Sequence, residues 1–235
     1  MTGPGIRAVI FDLDGTILDS EPAYWESDRA FLAGWGMEYD AATNEAMAGR
    51  GARAFMEIME ELFPGKAFHR LPMEERIRLK DEAYLAHART RVRAFPAVEA
   101  FIAWLHGRGV PMAIASGSSR EVIDATLDGA GLLWRFPVRV SAQDVARGKP
   151  EPDVFLEAAR RLGVEPETCL VLEDSVNGLR AAKAAGMRAV ALPSSGAAGG
   201  SAYSSADLVV PGGAGAFDMA MVLERWDIGT AASMK

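Results

Sequence analysis

Two carboxylates stand two residues apart at the end of an apolar run: residues 6–11 lead directly into Asp12-Leu13-Asp14-Gly15-Thr16. On a β-strand, side chains i and i+2 share a face, so Asp12 and Asp14 lean to the same side. Gly15 gives the chain a residue that takes positive φ without strain and can approach a ligand closely. Two acids held this way either bind a divalent cation or separate their pKa values into a nucleophile and a proton donor. The competing readings are a plain turn after a strand and the start of a calcium loop. A calcium loop between helices would carry its glycine two positions later and close on a bidentate glutamate, so that reading fails on spacing.

Other apolar runs also end in polar groups. Residues 110–115 run into Ser116-Gly117-Ser118-Ser119-Arg120, residues 169–172 into Glu173-Asp174-Ser175, and Gly148-Lys149-Pro150-Glu151-Pro152 precedes a helical pattern. The Ser116 hydroxyl, with Gly117 and the backbone N–H groups of a helix start, suits a phosphate, although a helix N-cap would use the same residues. Lys149, fixed between Gly148 and Pro150, is a point cation able to neutralise a phosphoryl oxygen and a carboxylate, or else a surface lysine in a turn. Adjacent acids at the end of an apolar strand are costly unless paired or metal-bound, which favours a metal at Glu173 and Asp174.

The elements that must position these groups follow from periodicity. Short apolar runs at residues 6–11, 110–115, 138–140, 169–172, 189–192 and 208–210 predict about six strands. Between them, helical patterns at residues 98–108, 120–130, 152–162, 177–185 and 216–226 predict an α/β fold, a parallel sheet covered by helices. In such a sheet ligands bind outside the carboxyl ends of the strands, where the polar groups lie. Residues 20–94 break the rhythm, with helical stretches at 26–35, 52–62 and 73–93 and no convincing strand. This divides the chain into a core of residues 1–18 and 95–235 and an inserted helical domain of residues 19–94. Within it, the charged run from Glu74 to Glu82 reads as a solvated helix face; in the core, residues 194–205, rich in Gly, Ser and Ala, read as a flexible surface loop.

The chain of 235 residues is 49% hydrophobic and 24% charged, enough to bury a substantial core. A net charge of −7, without a Lys/Arg block interleaved with aromatics, argues against nucleic acid as a partner. The single cysteine, Cys169, lies in an apolar run and reads as a buried structural thiol. No apolar stretch approaches a membrane span and no leader pattern is visible, so no membrane partner and a cytoplasmic location are expected. A monomer or weak dimer is expected.

Taken in order, Asp12-Leu13-Asp14-Gly15-Thr16, Ala115-Ser116-Gly117, Gly148-Lys149-Pro150-Glu151-Pro152-Asp153-Val154-Phe155 and Leu172-Glu173-Asp174-Ser175-Val176-Asn177-Gly178 resemble the four motifs of the haloacid dehalogenase superfamily. The resemblance covers nearly the whole chain and implies a Rossmann-like, doubly wound core. The inserted helices resemble the cap of the subfamily that holds β-phosphoglucomutase and many sugar-phosphate phosphatases, and Asp19-Ser20-Glu21-Pro22 is similar to those phosphatases. What the resemblance implies is a small phosphorylated metabolite as substrate, Asp12 as the nucleophile that becomes an aspartyl phosphate, and Asp14 as general acid and then base. It further implies Ser116 and Lys149 around the phosphoryl group, and Mg²⁺ held by Asp12, the Asp14 carbonyl, Glu173 and Asp174. Oxygen ligands and the lack of a Cys/His cluster agree with Mg²⁺ over Zn²⁺.

Dehalogenases and phosphonate-cleaving members of the superfamily lack the second aspartate, which favours phosphoryl transfer here. Where β-phosphoglucomutase has a histidine this chain has Tyr24, which favours hydrolysis over mutase action, the alternative. A noncatalytic regulatory protein is a remoter one, opposed by the completeness of the reactive set. Neither the glycine fingerprint of a dinucleotide site after the first strand nor the serine-hydrolase elbow is present. Substrate selection should fall to the cap, with Tyr24, Arg50 and Arg53 as candidates and Gly117 and Arg120 facing them from the core. Arginine there would suit a second phosphate or a carboxylate. Gly49-Arg50-Gly51 is either a loop directed into the site or a plain interhelical turn.

Overall fold

The computed structural model describes residues 5–47, 51–88, 92–193 and 201–229. Strand β1 (Ala8–Phe11) is buried along its whole length, and its side chains divide by parity. Val9 and Phe11 join one apolar cluster, Ala8 and Ile10 another. That division belongs to a strand covered on both faces. After β1 come the helices α1 (Glu21–Gly34), α2 (Ala41–Met47), α3 (Ala52–Leu62) and α4 (Met73–Ala88). An alternating series follows: α5 (Pro96–Gly107), β2 (Met112–Ser116), α6 (Arg120–Gly129), β3 (Val138–Ser141), α7 (Asp153–Leu162), β4 (Cys169–Glu173), α8 (Val176–Ala184), β5 (Arg188–Ala191), β6 (Leu208–Val209) and α9 (Met219–Leu223).

The six strands pair in the order β3-β2-β1-β4-β5-β6, every pair parallel. Order reverses beside β1, so the crevice at its carboxyl end is where a ligand is expected. One face of the sheet is covered by Val98, Phe101, Ile102 and Leu105 of α5 and Val122, Ile123 and Leu127 of α6. The other is covered by Val154, Phe155, Ala158 and Ala159 of α7 and Leu179, Ala181 and Ala182 of α8. Phe11 meets Phe101 and Phe136 edge-on, with ring centroids 6.2 and 5.8 Å apart, so the strand that carries Asp12 is anchored by aromatic packing immediately behind it.

The helices between β1 and α5 build a third cluster from Leu32, Met37, Tyr39, Met47, Phe55, Met56, Met59 and Phe68. They are tied to the sheet layer by Ala23, Tyr84, Leu85 and Ala88, which belong to the core cluster. Among the described residues of this segment no strand forms. No helix of the described residues is long and apolar enough to cross a membrane.

The structure departs from the sequence expectations at several elements. Helix α1 starts at Glu21 with Pro22 in its first turn, where a missing N–H costs nothing, so Tyr24 lies inside the helix. The short helix α2 lacked a legible apolar period. The helix expected over residues 216–226 is only α9, because Phe217 is extended and Asp218 caps the helix by accepting from Ala220 N. The charged run on α4 is not a solvated face throughout: Arg76 and Lys80 are buried, while Arg78 pairs outward with Glu75 and Glu82. Of the loop expected at 194–205, residues 194–200 lie outside the described set. Ser201–Tyr203 form a 3₁₀ turn with Tyr203 buried and donating to the Asp174 carbonyl at 2.8 Å. Cys169 is free and buried, and burial pushes its thiol up to about 12, as a structural thiol requires.

Candidate active site

Three strand ends and one loop converge on one point. Asp12 follows β1, Ser116 ends β2, Glu173 ends β4, and Lys149 comes from the loop between β3 and α7. The Lys149 ammonium donates to Asp12 Oδ1 at 2.5 Å and to Glu173 Oε2 at 2.7 Å, and it lies 5.1 Å from the centre of the Phe155 ring. Burial alone would pull this ammonium down, but Asp12 and Glu173 hold it above its ordinary range, so it is a permanent cation. Removing it would leave two buried carboxylates unpaired, a cost of about 3–5 kcal/mol.

Glu173 is engaged on both oxygens, since Oε1 accepts from Ser175 N at 3.1 Å and Ser175 Oγ at 2.7 Å. Ser175 Oγ in turn accepts from Gly178 N at 3.0 Å, so one hydroxyl caps α8 and fixes the glutamate. Gly178 is obligatory there, because a Cβ would fall 2.0 Å from Glu173 Cδ. Gly15 serves Asp174 similarly: at φ +77° it leaves the space in which Asp174 Oδ2 sits, 2.4 Å from where a Cβ would be.

Asp14 belongs to a separate hydrogen-bond chain. Ser118 Oγ donates to Asp14 Oδ2 at 2.9 Å, and Tyr24 OH stands 3.2 Å from Ser118 Oγ. Burial raises the Asp14 carboxyl above the ordinary aspartate value, and burial, then the Asp14 charge, raises the Tyr24 phenol, which therefore stays protonated. Ser116 Oγ is buried and accepts from Ser118 N at 3.0 Å, which shapes the turn below the pocket.

These groups line a cavity of about 400 Å³ whose far wall is built by the helical segment, including Tyr24, Asp28, Tyr39, Asn44, Phe55, Lys80 and Asp81. Helical segment and sheet layer touch across it: a Cβ on Gly117 would lie 3.9 Å from Gly51 Cα. Buried carboxylates around a lysine lie at the switch point of a parallel sheet, under a helical wall. A family model of haloacid dehalogenase-like hydrolases matches residues 6–186.

The chain belongs to the haloacid dehalogenase-like hydrolase family. Among curated relatives it is similar to fructose-1-phosphate phosphatase YqaB of Escherichia coli K12, with 40% identity over 187 residues, 77% of this chain and 94% of the relative. It is 32% identical to hexitol phosphatase B of the same organism over 190 residues, 80% of this chain and 84% of that one. Among solved structures it is similar to a mutant of CbbY from Rhodobacter sphaeroides in complex with xylulose-(1,5)bisphosphate, with a TM-score of 0.80, 27% identity, and coverage of 89% of this chain and 95% of that one. The chain is an enzyme of this family, with relatives named as sugar-phosphate phosphatases.

In this haloacid dehalogenase-like hydrolase, Asp12, Asp14, Ser116, Gly117, Lys149, Glu173, Asp174 and Tyr24 are all brought to the cavity. Arg53 is not among its lining residues; its guanidinium pairs with Glu74 at 2.9 Å on the exposed surface. Arg120 also turns elsewhere, pairing with Asp144, while its backbone N–H donates to Gln143 Oε1 at 3.2 Å. Arg50 and Gly49 lie outside the described residues, but Gly51 lines the cavity and opens α3. Sequence reasoning passed over Ser118, Asp28, Lys80 and Asp81. Ser118 had a legible signal, two residues beyond Ser116 at the same strand end, and Asp28 had one in its position one turn after Tyr24 on α1.

The donor set fits a divalent cation. One carboxylate oxygen from each of Asp12, Glu173 and Asp174 lies within 4.8 Å of the others. Burial, then Glu173, pushes the Asp12 carboxyl up, and burial, then Glu173 and Asp12, pushes Asp174 up, so the cluster is short of positive charge. Since both Glu173 oxygens already accept from Lys149 and Ser175, Asp12 and Asp174 are the carboxylates with the freer lone pairs.

Proposed function

We propose that the enzyme is a Mg²⁺-dependent phosphatase that hydrolyses the phosphate monoester of a small sugar-like metabolite through a phosphoryl intermediate on Asp12, under a cap formed by residues 19–94. What carries this reading is Lys149, held between Asp12 and Glu173 in the wall of a cavity that also holds Asp14 on an independent hydrogen-bond chain. Asp12 and Asp174, with Glu173 beside them, would hold the metal, which when bound supplies positive charge against the phosphoryl oxygens.

The residues divide the work. The Asp12 carboxylate attacks phosphorus, and the ester oxygen leaves with the proton that Asp14 carries by virtue of its raised pKa. Lys149 screens the phosphoryl dianion from the carboxylate that attacks it, and Ser116 with the Gly117 backbone orients it. Asp14, now ionised, then takes a proton from water, which attacks the phosphoryl group on Asp12 and restores the free carboxylate. Positioned proton transfer contributes roughly 10²–10⁴ in rate, so charge neutralisation and orientation carry the greater share. Tyr24 donates toward Ser118 and stays protonated, so it holds the Asp14 chain in place and does not itself exchange the reaction's proton.

The test is phosphate release in Mg²⁺ from a panel of fructose 1-phosphate, hexitol phosphates, phosphorylated acids and nucleotides. Release from the sugar-like esters that stops in EDTA and returns with Mg²⁺ supports the reading; full activity in chelator defeats the metal assignment.

A further inference from the structure

The cap wall of the cavity carries charge that the hydrolytic steps do not use. Asp28 on α1 and Lys80 on α4 face each other with Oδ1 and Nζ 2.8 Å apart and side chains only 6% and 8% exposed. Asp28 Oδ1 is buried, and the Lys80 ammonium is its partner there. The Lys80 ammonium is also held over the rings of Tyr24 and Phe55, 5.0 and 4.8 Å from their centres. Beside the pair, Tyr39 OH donates to Asn44 Oδ1 at 3.1 Å, which turns the Asn44 amide nitrogen away from that bond as a spare donor. Among the described cap residues that line the cavity, Glu21, Asp28 and Asp81 are acids and Lys80 is the one cation.

We propose that this wall selects a neutral, polyhydroxylated leaving group and rejects one that carries a second phosphate or a carboxylate, with Asp28 as the selectivity residue. The inference rests on the phosphatase reading above. Asp28 and Asn44 both line the cavity, so a substrate hydroxyl can donate to the carboxylate and accept from the amide, and a polyol matches the wall's hydrogen-bonding groups. A second anionic group meets a buried carboxylate instead, and Lys80 cannot compensate because Asp28 already neutralises it. Phe55, Met47 and Ala52 supply apolar surface for the carbon skeleton. CbbY, similar in fold, holds a bisphosphate in its solved complex, so the architecture admits a second phosphate and the side chains on α1 and α4 decide.

The experiment compares kcat/KM for fructose 1-phosphate, fructose 1,6-bisphosphate and 6-phosphogluconate, with p-nitrophenyl phosphate as a measure of phosphoryl transfer itself. The expected result is a preference for the neutral sugar of at least about tenfold over either anionic ester, narrowed at least about threefold by Asp28→Asn. A wild-type preference for an anionic ester, or a ratio unmoved in folded Asp28→Asn, overturns the proposal; if that variant does not fold, the wild-type ranking alone decides. Turnover of p-nitrophenyl phosphate with an anionic preference sinks only this inference, whereas no turnover of any ester sinks the phosphatase reading with it.

Discussion

Asp14 separates from Asp12 by environment: two carboxyls two residues apart in the chain feed different networks, Asp12 the Lys149 ion pairs and Asp14 the Ser118 hydroxyl. Burial raises Asp14, so it keeps a transferable proton to higher pH than a free aspartate. The Ser118 hydrogen bond opposes that rise by stabilising the ionised form. Ser118→Ala should therefore raise the Asp14 pKa further and move the alkaline limb of kcat/KM to higher pH; a limb that stays or moves down removes Ser118 from the acid's control. Asp12→Asn keeps size and shape but removes the proposed nucleophile, and turnover should fall by about 10⁴-fold or more with an unchanged circular dichroism spectrum. Appreciable remaining activity would reject Asp12 as the attacking group. Asp12, Ser116 and Glu173 were legible because each stands where an apolar run ends, and ligands bind at strand ends in a parallel sheet, whereas Lys149 was read from its place between Gly148 and Pro150. Lys80 was not: on a helix dense in charge, its inward turn is fixed by the opposing Asp28 on α1, which no periodicity records.

Helix α8 shows how an element is fitted to the site. Ala is usually the better helix former by about 1 kcal/mol, so Gly178→Ala in the first turn of α8 would ordinarily be neutral or stabilising. Here the added Cβ meets Glu173, which is buried and held on both oxygens, so the variant should lose about 1–3 kcal/mol of stability as overpacking. Its activity should fall with it, because Glu173 aligns Lys149. Thermal unfolding checks the first claim and phosphate release the second; a more stable, fully active Gly178→Ala would show that Glu173 moves freely. Strands and core helices were readable to within a few residues from periodicity, since a sheet buried on both faces writes continuous apolar runs. Elements that failed were those fixed by local capping or by partners: α1 begins early because Pro22 suits its first turn, and the last helix shortens because Asp218 caps it late.

At the scale of the molecule, the sheet layer carries Asp12, Lys149 and Glu173 and the helical segment walls the cavity over them, with Gly51 near Gly117 and Tyr24 against Ser118 beside the cavity. A metal bound only by the folded chain stabilises it by mass action, about 2.7 kcal/mol at a hundredfold excess over Kd. Mg²⁺ should therefore raise Tm by about 5 °C or more, and Asp174→Asn should abolish most of that rise. An equal rise in Asp174→Asn would place the ion elsewhere. The order of the motifs made the parallel sheet legible, but not the chemistry of the helical wall, because it is assembled from side chains on helices whose mutual rotation no periodicity records. The central claim, covalent transfer of a phosphoryl group to Asp12, is tested most directly by acid-quenching the enzyme during turnover of fructose 1-phosphate in Mg²⁺ and mapping phosphorylated peptides by mass spectrometry. The account predicts a transient phosphoryl adduct on the peptide that contains Asp12, absent in Asp12→Asn. Rapid phosphate release with no adduct at any quench time, or an adduct confined to another residue, would contradict it.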